Sequence, residues 1–330
     1  MLERDSQVTQ TAHTSRVIAL AASLCFGAWL QAQETPRPNR HPLLSILPEP
    51  LPDGRASIAA DGASQFLRPD FETARGGATF ARFDGEDYGL ALDYAKRLGP
   101  VALSLRLRAA WRSSGFTDQI FASWHGFLGT PMGGRDKAPR FRLDYTLKIN
   151  GQTIAHLAED RASLMDADLA MLVPFGNDAG GGRVGASVQI PTGRRDDFSG
   201  SGSWDWLVGT ALWKRLGAFR LHTQLECAFL GVGDDNPYSL AMVKRTQKRA
   251  WAGVACIGGG GGFFDGLGLD ISVAYAESPY SIGVPRIDSP SWQQHWTFSH
   301  TRLPMWRMGI TEEAGTYFSP DLTVYILYRM

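Results

Sequence analysis

The residues that could do chemistry in this chain are charged side chains set at every second position of otherwise apolar runs. They are Asp93, Arg106, Arg108, Arg142, Asp144, Lys148, Asp166, Asp168, Asp205, Arg220, His222, Glu226 and Asp270. In VALSLRLRAAW, for example, Ser104, Arg106 and Arg108 oppose Val101, Leu103, Leu105, Leu107 and Trp111. Successive side chains of a strand point to opposite faces, so each such run has one apolar and one charged face. Charges gathered on one face either pair and fill an interior, or line a water-filled passage and set which ions cross it. Both readings stand on sequence alone. Asp93 falls across a tight hairpin from Ser104 or Arg106. Arg106, Arg108 and Arg142 make a basic patch unless Asp93 and Asp144 offset it.

Catalytic readings are weaker. Phe116, Ile120, Trp124, Phe127 and Leu128 recur at helical spacing inside the stretch 113–139. An amphipathic helix there would cap an opening or fold inward as a constriction, presenting Phe116, Ile120, Trp124, His125 and Phe127. Asp118, Ser123 and His125 have the residue types of a hydrolase triad. Residues two apart on a helix do not face each other, so Ser123 and His125 diverge and a structural loop is the better reading. Gly180–Gly185 matches GxGxxG but precedes an alternating strand instead of opening a helix, so it reads as a turn. The five glycines from Gly258 read as a turn too. There is no HExxH, CxxC or P-loop, so no metal or cofactor is implied.

The elements that must hold these charges are long strands. YGLALDYAK, FRLDYTLKI, FRLHTQLECAF and LGLDISVAY all keep period two. The alternation spells fourteen strands: 55–66, 78–97, 100–112, 140–150, 152–160, 165–174, 183–191, 203–214, 218–231, 249–258, 266–277, 291–300, 303–312 and 320–330; twelve is the alternative count. Strands of about 10–13 residues exceed the usual 5–6 of soluble sheets and match the 9–11 of a tilted membrane strand. Trp111, Trp204, Trp292 and Trp306 sit near strand ends, as interfacial girdles require. Short links such as Asn150-Gly151 alternate with long ones, among them 113–139 and 232–248. The expected fold is all-β: a transmembrane, antiparallel, up-and-down β-barrel over 55–330. The last strand closes on apolar Met330, where such barrels commonly carry Phe.

Composition agrees. Thirty-three basic and thirty-three acidic residues cancel, which gives no electrostatic case for nucleic acid. Arg16 precedes an apolar stretch ending at Ala32, too short for a membrane helix, and residues 1–32 read as an export signal. Residues 33–54 carry prolines from Pro36 to Pro52 that forbid regular structure, and form an extended periplasmic segment. Cys227 and Cys256 fall on consecutive expected strands, where they either pair or serve as small apolar wall residues.

HPLLSILPEP, FDGEDYGLALDYAKRLG, SWHGFLGTPMGGR, IPTGRRDDFSGSGSWD and SPDLTVYILYRM resemble a proteobacterial family called domain of unknown function 3187. The PTG followed by GSGSWD is also similar to outer-membrane barrels found with aromatic-degradation pathways. The resemblance implies an outer-membrane β-barrel and transfers no catalytic residue. The reading that results is a non-enzymatic passive channel or facilitator for small molecules. Its partners are outer-membrane lipid, the barrel assembly machinery and a small solute. The alternatives are a membrane-embedded lipid-acting enzyme and a closed structural barrel.

Overall fold

A computed structural model describes residues 55–66, 79–115, 119, 122–123, 126–127, 139–177, 179–194, 197–200, 202–231, 251–262, 266–278, 288–313 and 322–330. The expected signal peptide and proline-rich segment lie outside these residues. The strands are β1 (Arg55–Phe66), β2 (Thr79–Leu98), β3 (Val101–Ser113), β4 (Asp144–Ile149), β5 (Gln152–Leu157), β6 (Arg161–Leu164), β7 (Ala167–Asn177) and β8 (Gly180–Ile190). They continue as β9 (Asp205–Leu216), β10 (Phe219–Phe229), β11 (Trp251–Gly262), β12 (Leu267–Ala276), β13 (Ser291–His300), β14 (Trp306–Glu313) and β15 (Leu322–Arg329).

Twelve of the fifteen close a cycle: β1, β2, β3, then β7 through β15, with β15 antiparallel to β1. Twelve is the lower of the two counts the alternation allowed. The stretches 140–150 and 152–160 form strands, but as the hairpin β4–β5, which hangs from the outer end of β2 instead of entering the wall. The short link 161–164 is itself a strand, β6, which extends the wall beside the end of β3. β2 is one twenty-residue strand with two jobs. Residues 79–84 pair with β4, and residues 84–95 pair with β1.

Links at one rim are tight: Gly99 and Gly217 turn with φ of 62° and 63°. Links at the other rim are long, and one of them carries β4, β5 and β6. Short turns mark the periplasmic rim of such barrels and long loops the outer one. Two glycine stretches expected as turns are strand instead. Gly180–Gly182 opens β8 and Gly258–Gly262 closes β11.

The barrel is apolar outside and polar inside. Leu90, Leu105, Met171, Leu225 and Ile257 are exposed, while Asp93, Asp168, Gln189, Asp205 and Glu226 are buried. Closure leaves no unpaired wall edge, which is what lets strands cross hydrocarbon. Aromatic pairs mark both rims: Tyr88 stacks on Trp111 at 5.2 Å and Tyr275 meets Trp292 at a tilt at 4.8 Å near the outer ends, and Trp306 meets Tyr328 at 4.7 Å near the inner. Cys256 faces inward and Cys227 outward, so the pairing considered above is excluded and both are free thiols.

Candidate functional site in the barrel interior

Register links inward residues on seven neighbouring strands into one row. Arg329, Ser57, Asp93, Arg106, Asp168, Gln189 and Asp205 are successive cross-strand partners on β15, β1, β2, β3, β7, β8 and β9. Because the strands are staggered, the row climbs from the inner rim at Arg329 to the outer rim at Asp205. Its acids are all engaged. Arg106 Nε donates to Asp93 Oδ1 at 2.5 Å, and Ser57 Oγ donates to the same carboxylate at 3.4 Å. Arg108 lies 3.2 Å from Asp168 and also donates to the Asp166 carbonyl. Asp205 accepts from Ser203 Oγ and from the Gly231 amide. Such pairs hold because both charges leave water together; removing one partner strands the other.

The opposite wall is different. β11 and β12 lie six places around the cycle from β2 and β3. Here Gly258, Gly260, Ser272 and Ala274 face in. His222 Nε2 on β10 and Asp270 Oδ1 on β12 approach to 3.1 Å, reaching over β11 between them. That bridge explains the glycines. A Cβ on Gly258 would strike Ser272 and the His222 ring, and one on Gly260 would meet Asp270 at 2.7 Å. Nearby, Glu226 accepts from Gln224, and the Arg220 guanidinium covers the Trp213 ring at 5.5 Å.

Four of the sequence-derived lumen residues lie outside the wall strands: Asp166, in the link between β6 and β7, and three in the outer hairpin region. Arg142 pairs with Asp84 at 2.6 Å, Arg82 pairs with Asp144 at 3.1 Å, and Lys148 lies 5.9 Å from the Phe80 ring. Arg142, Asp144 and Lys148 belong to the outer hairpin region, so the basic patch expected from Arg106, Arg108 and Arg142 is not formed. Its two remaining members face acids.

The outer mouth holds what the sequence reading missed. Arg112, at 1% exposure, follows the inward parity of Arg106 and Arg108, which was the available signal. Its Nη1 and Nη2 donate to the carbonyls of Asp197 and Phe198 at 3.2 and 3.1 Å, and its Nε lies 3.3 Å from Asp87. Those carbonyls belong to the link between β8 and β9, whose described residues lie as a strap against the outer ends of β2 and β3. Thr192 and Gly193 tie its start to Met165 and Asp166. Arg161 and Ser163 hold the Asp197 carboxylate at 3.3 and 2.9 Å. Phe198 packs edge-on against Phe83 at 5.8 Å and Tyr145 at 6.1 Å, among Leu143, Leu147 and Ile149. It does so with φ of 61°, a left-handed conformation costing a bulky residue about 1–3 kcal/mol. The aromatic seat offsets that strain.

Within the stretch 113–139, the described residues Gln119, Ala122, Ser123, Gly126 and Phe127 are helical. Phe127 is exposed, and Ser123 Oγ donates to the Gln119 carbonyl at 2.8 Å. Phe116, Asp118, Ile120, Trp124 and His125 lie outside the described residues. Among the described residues no cluster of metal-binding side chains forms.

No protein-family model matches the chain, and no curated protein matches it. Among solved structures it is similar to an outer membrane channel from Pseudomonas putida F1, with 14% identity, a TM-score of 0.53, and coverage of 86% of this chain and 100% of that one. The NanC porin superposes at a TM-score of 0.43 and 5% identity, covering 82% of this chain and 97% of the porin. The toluene transporter TodX of Pseudomonas putida does so at 0.39 and 9%, covering 92% and 95%. The first likeness establishes the fold class, a closed antiparallel β-barrel like that of the outer membrane channel. This chain is a twelve-stranded member of that class with a sheet extension at its outer end.

Proposed function

We propose that the barrel is a passive channel for small solutes with weak preference between cations and anions. The observation that carries this reading is the paired charge row: a polar interior in which Arg106 meets Asp93 and Arg108 meets Asp168. A lumen lined by compensated pairs solvates a polar solute without presenting a field of one sign. In the same reading the apolar band sits in outer-membrane lipid, residues 1–32 are removed on export, and residues 33–54 stay in the periplasm. The barrel assembly machinery receives the chain through its closing strand. The same reading keeps the resemblance to the domain 3187 family as a proposal, since no family model matches the chain. The same reading is non-enzymatic; the described part of the 113–139 stretch has the Ser123 hydroxyl donating to the Gln119 carbonyl.

The test is refolding into liposomes and planar bilayers. Swelling in small neutral sugars, with a reversal potential near zero in a salt gradient, is the expected result. Liposomes that never swell and bilayers that never conduct would overturn it. The shielding of Arg112 at the outer mouth favours, as a second reading, a barrel shut by the strap.

A further inference from the structure

The strap's own residues describe what could replace them. With the strap seated, the guanidinium groups of Arg112 and Arg161 face the carboxylates of Asp87 and Asp197. Two further acids lie beside them: Asp160 is engaged by Ser113 Oγ and the Ser114 amide, and the buried Glu86 accepts from the Tyr88 hydroxyl. Withdrawing the strap removes Asp197 and so takes from Arg161 the carboxylate it faces, while Arg112 keeps Asp87. It also empties the apolar seat between Phe83 and Tyr145, and frees Arg112 Nη2 from the Phe198 carbonyl. A guanidinium is matched better by a carboxylate than by two neutral carbonyls, because the bonds become charge-assisted.

We propose that the seat of Phe198 is an outer-mouth binding site for a small carboxylate with an apolar body, for which the strap is a built-in competitor. Phe198 itself displays the template: a ring in the seat, joined through two carbons to a carbonyl on Arg112. The compound that copies this skeleton and replaces the carbonyl with a carboxylate is 3-phenylpropionate. The Phe198 backbone sits at φ 61°, so withdrawal also releases a strained conformation. The proposal names a solute class for the channel reading and rests on it for its purpose, but the binding stands or falls separately.

The test is titration calorimetry on the full-length protein in detergent, with 3-phenylpropionate and, as the neutral control, its amide. Phe198→Ala vacates the seat and should bind the acid at least tenfold tighter than wild type, with the amide unimproved. Asp197→Asn, which keeps the ring but removes the competing charge, should show a smaller gain, and it decides the matter should Phe198→Ala fail to fold. Adding Arg161→Gln to either variant should abolish the gain. Equal binding of acid and amide, or no gain in either strap variant, overturns the site. Calorimetry needs no permeation. A barrel that binds the acid but never conducts therefore removes the channel reading and leaves this site in place.

Discussion

Strand β2 meets two different environments along one face. At its outer end Ala81 and Phe83 point inward and are buried with Tyr145, Leu147 and Phe198, as in the core of a water-soluble domain. Below them, on the same face, come Asp87 and Asp93, buried as ion-pair members, while Leu90, Leu92 and Tyr94 on the reverse face are exposed. The outer extension hides its apolar residues and the wall displays them. The difference lies in what surrounds the sheet. Water drives apolar side chains together. Hydrocarbon does not, and instead drives polar groups and backbone inward.

The contrast can be broken most severely at a wall pair. Arg106→Met leaves Asp93 buried without its cation, which should cost about 3–5 kcal/mol, and a double change with Asp93→Leu should recover most of it. Urea unfolding in micelles reads both; full tolerance of the single change would mean that the interior is wet enough to solvate Asp93. Next comes cavity formation. Leu147→Ala, at 0% exposure, should cost about 2–5 kcal/mol locally, seen as protease nicking of the β4–β5 hairpin in a barrel whose heat-modifiability is unchanged. Leu105→Ala should be far milder, because lipid fills the space at an outward position.

Charge insertion sharpens the same boundary. Leu105→Lys should weaken assembly by about 2–4 kcal/mol if the site lies near the bilayer midplane, whereas Lys148→Leu on the exposed hairpin should leave refolding yields unaltered. The smallest effect belongs to the hairpin turn. Asn150 and Gly151 have φ of 51° and 78°, so Asn150→Ala forces a left-handed alanine at about 1 kcal/mol. Hydrogen exchange should quicken in β4 and β5 and stay the same in β10.

Alternation in the sequence identified every wall strand, because period two is a property of the backbone. It did not say which environment an apolar face meets. Tyr145, Leu147 and Ile149 alternate as cleanly as Leu103, Leu105 and Leu107, yet the first set is buried above the wall and the second is exposed on it. The placement of Arg142, Asp144 and Lys148 changed for that reason. Arg112 was legible by parity. Phe198 was not, since nothing in IPTGRRDDFSGSGSWD announces that a loop phenylalanine will adopt a positive φ and reach β2. The glycines of β11 looked like a turn because their purpose, room for His222 to reach Asp270, depends on a strand pairing that composition does not encode.

The hairpin on β2 also reopens a problem that closure of the wall had removed. Among the described strands, the hydrogen-bonded order ends at β5 on one side and β6 on the other. A free strand edge is a template on which another chain can add, so the outer face is where two copies would join by backbone pairing. The edges are short, six residues and four. The β4–β5 pairing slips its register between Leu147 and Lys148, which breaks the regular ladder next to β5. Gln152, Thr153 and His156 on β5 are exposed and polar. Brevity, irregularity and polarity thus protect against self-association at the strand edges which, among the described residues, neither lipid nor a neighbouring strand covers.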